Sequence, residues 1–307
     1  MVLQSQLIQL IDQKSGVECG VTALEYSSTY IRQLNNHING VCRLSSREIE
    51  AKVNYLAGCL TIALDNSLQG LEFLRVRLCE GIKIDSVDNL SYIKDTTDTF
   101  PVTGRLNQIG QALFYAAVAV KKDDTALRVA LSETGAKELD RLNVLRSHQK
   151  SGSDLNLRII GIWDQVRRDE RPYYLNPNIF DYYKKTREYV SQKFDPNLLL
   201  AYELTDRFLA DILSRKGSEK LYEITSALGA VFLDGNQCDG ILYSSVKAIG
   251  EPVVALSPTA VDSKLEHQFA CDVEIKQCYG YEFFKYNTIA TTAKINNDSS
   301  MLEWQVD

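Results

Sequence analysis

Histidine is scarce in this chain, no two cysteines form a Cys-x-x-Cys pair, and no apolar run reaches membrane-spanning length. The three histidines, His37, His148 and His267, stand singly, so no histidine cluster offers itself to a metal. The seven cysteines (19, 42, 59, 79, 238, 271 and 278) are odd in number. Cys271 and Cys278 have no second pair to join, so a structural metal is not expected. No targeting segment is evident, and a cytoplasmic protein with reduced, mostly buried thiols is the expectation. Positive charge is not in excess either. Lys+Arg number 34 against 40 Asp+Glu, for a net charge of −6. There is no basic footprint for direct nucleic-acid binding, and an anionic ligand would have to be met by local arginines.

What is present is an ordinary globular composition. The chain has 307 residues, 45% of them hydrophobic and 24% charged, enough for one large domain or two modest ones. Its organising stretch is Gly104-Arg105-Leu106-Asn107-Gln108-Ile109-Gly110, followed by Leu113-Phe114-Tyr115-Ala116-Ala117. Two glycines bracket a loop in which the backbone, and the Arg105 guanidinium, can approach a ligand. The apolar, aromatic run after it reads as a buried strand. A loop, a core strand and a solvated arginine would account for the same residues.

Residues 1–70 read as helical. Leu3, Leu7, Ile8, Leu10 and Ile11 form a one-sided stripe, and Ser45-Ser46-Arg47-Glu48 has capping-box spacing ahead of Ile49, Val53, Leu56 and Leu60. Leu71–Cys79 alternates, placing Arg75 and Arg77 on one strand face; a solvated face is the plain explanation. Thr125–Glu133 reads as a short helix with Asp124 or Thr125 as its cap. Glu133 then sits at the helix end where the macrodipole disfavours a carboxylate, which separates it from Glu138. Arg141–Arg146 resumes a strand pattern, 147–155 reads as a loop, and Arg158–Trp163 as a brief strand. Helices are predicted from Asn178 to Lys193, from Asn197 to Lys216 with Gly217 as the stop, and from Glu219 to Leu228. Asp239–Ser245 reads as a turn feeding a strand that ends in two serines. Val253–Leu256 is a buried strand, and a hairpin follows Leu265.

Three of these pieces, in order, resemble the RES domain, a family named for its Arg, Glu and Ser. They are Gly104-Arg105-Leu106-Asn107 with Tyr115 ten residues beyond Arg105, Thr125-Ala126 leading to Glu133, and Asp239–Ser245. The resemblance implies an α+β fold like that of ADP-ribosyltransferases: a split, mixed β core with surrounding helices and an NAD cleft. It covers 71–260 as the NAD-binding catalytic domain, with 147–218 as a helical insertion. Residues 1–70 are then a helical N-terminal extension and 261–307 a hairpin-like C-terminal one.

The activity implied is that of a toxin-like enzyme consuming NAD⁺ as substrate. It cleaves the nicotinamide–ribose bond by hydrolysis or phosphorolysis, without a metal. Arg105, Glu133 and Ser245 carry over as catalytic residues. Arg105, Asn107, Tyr115, Tyr243 and Ser245 carry over as the NAD-binding set. The implied partners are NAD⁺ and a cognate antitoxin protein, with self-association into a homo-oligomer as a further candidate and no membrane. Two departures stand out. Leu106 replaces the family's aromatic residue, and the spacing from Tyr115 to Glu133 is longer than the family's. The competing expectations are a protein ADP-ribosyltransferase on the same fold and a catalytically silent binding module.

The chemistry is coherent with those residue types. Breaking an N-glycosidic bond builds oxocarbenium character that a carboxylate such as Glu133 can stabilise. The planar fork of Arg105 suits pyrophosphate oxygens, and Tyr115 offers a ring and a hydroxyl. Ser245 can bond a ribose or amide, or support Glu133.

Overall fold

The computed structural model describes residues 20–59, 65–79, 84–94, 104–120, 123–233, 238–293, 295 and 300–306. In chain order the first elements are α1 (Gly20–Ile38), α2 (Ser46–Val53) with a π-helical turn (Asn54–Cys59), β1 (Asp65–Leu68) and β2 (Glu72–Leu78). Then come α3 (Val87–Leu90), β3 (Phe114–Ala119), α4 (Thr125–Thr134), β4 (Arg141–Gln149) and β5 (Leu155–Ile159). Four helices follow: α5 (Ile162–Arg168), α6 (Pro177–Lys193), α7 (Pro196–Ser214) and α8 (Glu219–Leu233). The chain closes with β6 (Gly240–Ser244), β7 (Pro252–Leu256), α9 (Pro258–Lys264), β8 (Leu265–Gly280), β9 (Phe283–Thr292) and β10 (Trp304–Val306). The class is α+β.

Two compact units divide the chain. One comprises Met1–Asn66, Thr103–Gln108 and Arg158–Gly235; the other comprises Ser67–Val102, Ile109–Leu157 and Asn236–Asp307. The first is helical. Its N-terminal helices are cut by the predicted devices: Ser45 accepts from the Glu48 backbone N–H while Glu48 reaches back to the Ser45 N–H at 2.8 Å. Asn176 and Asp195 cap α6 and α7, each with proline in the first turn. Trp163 and Tyr183 are fully buried and meet edge to face at 5.7 Å. Each such ring contributes on the order of 2–3 kcal/mol through burial.

The second unit is built on a sheet with strand order β1-β5-β6-β7-β3-β2-β4-β8-β9-β10. Every neighbouring pair from β6 to β10 is antiparallel. β2 and β4 pair along seven residues, but β2 and β3 share a register only at Glu72–Leu74 with Ala117–Ala119. The core is apolar on β3, β6 and β7, where Phe114, Ile241, Val254, Ala255 and Leu256 are sealed from solvent.

Several expectations are corrected. Residues 65–68 form β1 inside a stretch read as helical. Ser147, His148 and Gln149 belong to β4, because their side chains find partners: Ser147 Oγ lies 2.7 Å from His267 Nδ1, and Gln149 Nε2 donates to Leu68 O at 2.8 Å. Ile162 and Trp163 start α5 instead of ending a strand; Asp206 accepts from the Gly161 and Trp163 N–H groups, each at 2.9 Å, and so caps this helix from α7. Helix α7 stops at Ser214 and α8 runs on to Leu233. The N-terminal apolar stripe, Cys19 and Leu60 lie outside the described residues.

Candidate functional site

Glu133 is the penultimate residue of α4, which ends because Gly135 adopts φ 74°, a left-handed conformation that glycine takes without strain. The helix starts at Asp124, whose side chain makes no capping bond; Asp123 Oδ1 accepts from Thr125 N at 3.0 Å instead. The far end of α4 thus presents an exposed carboxylate to the turn that follows β6.

That turn is organised to receive it. Ser245, buried to 1% exposure, donates its hydroxyl to Glu133 Oε1 in a short hydrogen bond. Val246 N donates to the same oxygen at 3.0 Å and Lys247 N at 3.3 Å. Ser245 Oγ in turn accepts from Lys247 N at 3.2 Å and Ala248 N at 2.8 Å. Consecutive N–H groups aimed at one oxygen make a small anion nest. Every bond to Glu133 uses Oε1; Oε2 has no hydrogen-bond partner among the described residues. Glu138 has a different task, accepting from Cys278 N at 3.2 Å beside β8.

Strand alternation places further residues with Glu133. Tyr115 pairs with Ala255, which pairs with Ile241, and Tyr243 pairs with Val253 two residues along. Tyr115 and Tyr243 therefore share a face of the sheet, and Ser245, two beyond Tyr243, continues it. Tyr115 is partly exposed and Tyr243 buried. The Tyr115 carbonyl accepts from Arg75 Nη1 at 2.8 Å, where β3 has parted from β2.

Arg105 and Asn107 belong to the helical unit. The Arg105 guanidinium donates to Leu213 O at 2.9 Å, at the end of α7, and lies 5.6 Å from the Tyr222 ring centroid. Asn107 is buried, and its carbonyl accepts from Gly104 N at 3.0 Å; a Cβ on Gly104 would collide with the Asn107 side chain, so the motif requires glycine there. Leu106 fills a core position at 1% exposure, and its backbone carbonyl lies so close to Gly229 in α8 that a Cβ there would collide with it. Leu106 is thus a packing residue.

Of the residues named from sequence, the structure brings Glu133 and Ser245 into contact and sets Tyr115 and Tyr243 on the same face. The backbone donors Val246 and Lys247 have no side-chain signature and were not legible. Among the described residues no cluster of metal-ligating side chains occurs, and no helix is long and apolar enough to cross a membrane. No family model, no curated protein and no solved structure matches this chain.

Proposed function

We propose that the chain is an NAD⁺-consuming enzyme of the RES type, with an ADP-ribosyltransferase-like sheet unit and Glu133 as its catalytic carboxylate. The observation that carries this reading is the hydrogen bond between Ser245 and Glu133, two residues that the resemblance carries over from motifs far apart in the sequence. Three donors fix one carboxylate oxygen and leave the other for chemistry. A carboxylate so oriented needs no reorganisation when positive charge develops on a ribose.

In the proposed reaction the bond between ribose C1′ and the nicotinamide nitrogen breaks, and its electron pair leaves with nicotinamide. Glu133 Oε2 faces the developing oxocarbenium ion or orients the incoming water. Water adds through oxygen to C1′ and releases one proton, giving ADP-ribose and nicotinamide; phosphate in place of water gives the phosphorolytic product. Tyr115 supplies a ring or hydroxyl on the same face, and Tyr243 lies on that face two strands away, across β7. The resemblance assigns Arg105 and Asn107 to NAD⁺ binding. The reading implies a cytoplasmic NAD⁺ pool and an antitoxin that restrains the enzyme.

One observation favours a silent module instead. The same three donors would serve equally as a clasp tying α4 to the turn after β6, with no reaction at all. Incubating the purified full chain with NAD⁺ separates the two, since a clasp consumes none. Identifying the product then distinguishes free ADP-ribose, its phosphorylated form and protein-bound ADP-ribose.

A further inference from the structure

Arg75 and Arg77 stand two apart on β2 and so share a face. The register with β4 sets them with Leu145 and Asn143, and because Leu74 pairs with Ala117, which shares a face with Tyr115, they lie opposite the face that carries Tyr115. Both are partly buried, and among the described residues their hydrogen bonds go to backbone carbonyls. Arg75 donates to Leu90 O at 3.1 Å and Tyr115 O at 2.8 Å, and lies 5.5 Å from the Phe114 ring centroid. Arg77 donates to Ser91 O at 3.1 Å. No carboxylate meets either guanidinium among the described residues, although buried charges are ordinarily paired.

Two donors here have no use. Arg77 Nε and Ser91 Oγ are both closed to solvent and without a hydrogen-bond partner among the described residues, and Ser91 is only 3% exposed. Such groups cost stability unless something satisfies them. Burial also holds the pKa of both arginines below the usual range, that of Arg75 at about 9, with the Arg77 charge adding to the effect.

We propose that Arg75, Arg77 and Ser91 form a binding site for a phosphate group on the sheet face opposite Glu133. Two cationic forks match a dianion better than a single carboxylate, and donors from β2 and from the end of α3 suit a tetrahedral oxyanion more than a planar one. The face places this phosphate away from Glu133, so it is not the nucleophile of a phosphorolytic reaction. The site stands independently of NAD⁺ cleavage.

The test is calorimetric titration of the full chain, without NAD⁺, using inorganic phosphate in one arm and adenosine monophosphate in the other. The expected result is saturable phosphate binding that also raises the melting temperature. Arg77→Gln and Ser91→Ala should each weaken it at least about tenfold, the scale of one lost charge-assisted or buried hydrogen bond. Glu133→Gln should leave it unchanged. If Arg77→Gln does not fold, the mild Ser91→Ala variant carries the comparison. Tighter binding of the nucleotide, still weakened by Ser91→Ala, supports the site with a nucleotide-borne phosphate; equal affinities support it with free phosphate. Absence of saturable binding in either arm, or identical binding by parent and Ser91→Ala, overturns the proposal.

Discussion

Ser245 and Glu133 lie 112 residues apart and share a hydrogen bond, the serine hydroxyl donating to Glu133 Oε1. The contact joins the end of a helix to the turn after a strand. Removing the hydroxyl therefore disturbs both ends. Ser245→Ala strips Glu133 of one donor and leaves the Lys247 and Ala248 N–H groups without their shared acceptor. We predict a loss of about 1–3 kcal/mol in stability, together with slower NAD⁺ turnover. Denaturant unfolding and initial rates measure the two effects separately. A variant of unchanged stability would show that the turn holds Glu133 without the serine.

Arg105 makes a different prediction. Its guanidinium donates to the last turn of α7 and lies over Tyr222. If it also contacts the NAD⁺ phosphates, Arg105→Ala should raise the KM for NAD⁺, because those charges are present in ground and transition states alike. A melting temperature lowered with KM unmoved would confine Arg105 to helix packing.

Much of the fold was legible because its signals are local. The Ser45–Glu48 capping box, the alternation of Leu71–Cys79 and the apolar run at Tyr115 each depend on neighbours in sequence, and each formed. Where the reading failed, the cause lay far along the chain. Ser147 and Gln149 look like loop residues, yet they are buried in β4 because His267, Leu68 and Ser153 satisfy them. Trp163 looks like strand until Asp206 caps its helix from 43 residues away. In the site, the resemblance singled out Glu133 and Ser245, but the Val246 and Lys247 donors are backbone groups that any residue type supplies.

Asp206 is the strongest test of the helical unit. It is 2% exposed and accepts from the Gly161 and Trp163 N–H groups. Asp206→Ala leaves those buried donors unpaired and opens a small void, at a cost of about 2–4 kcal/mol. Asp206→Asn, which retains an acceptor, should recover a large part of it. Equal stability of the two variants by chemical denaturation would contradict the capping role.

His267 should give the sheet unit a pH signature. Burial pulls its pKa down to about 4 against opposing charges on Asp262 and Asp88, with Lys94 and Lys150 assisting. The folded ring is thus neutral where the unfolded one, near its usual value of about 6.5, takes up a proton. Its contribution is fully present above pH ~6.5 and is lost as the pH falls towards 4. Allowing for partial exposure, the loss is ~2 kcal/mol. His267→Gln should flatten that portion of the stability–pH curve, and an identical slope in the variant would place the titration elsewhere.

The measurement closest to the central claim is NAD⁺ consumption by the parent chain and by folded Glu133→Gln. The substitution keeps an oxygen for Ser245, Val246 and Lys247 to donate to, and removes the negative charge. The account predicts that the parent consumes NAD⁺ and that turnover falls on the order of 10²–10³-fold in the variant, the scale of one lost electrostatic stabiliser, with KM little changed. A folded Glu133→Gln protein that consumes NAD⁺ at the parental rate, or a parent that consumes none, would contradict it.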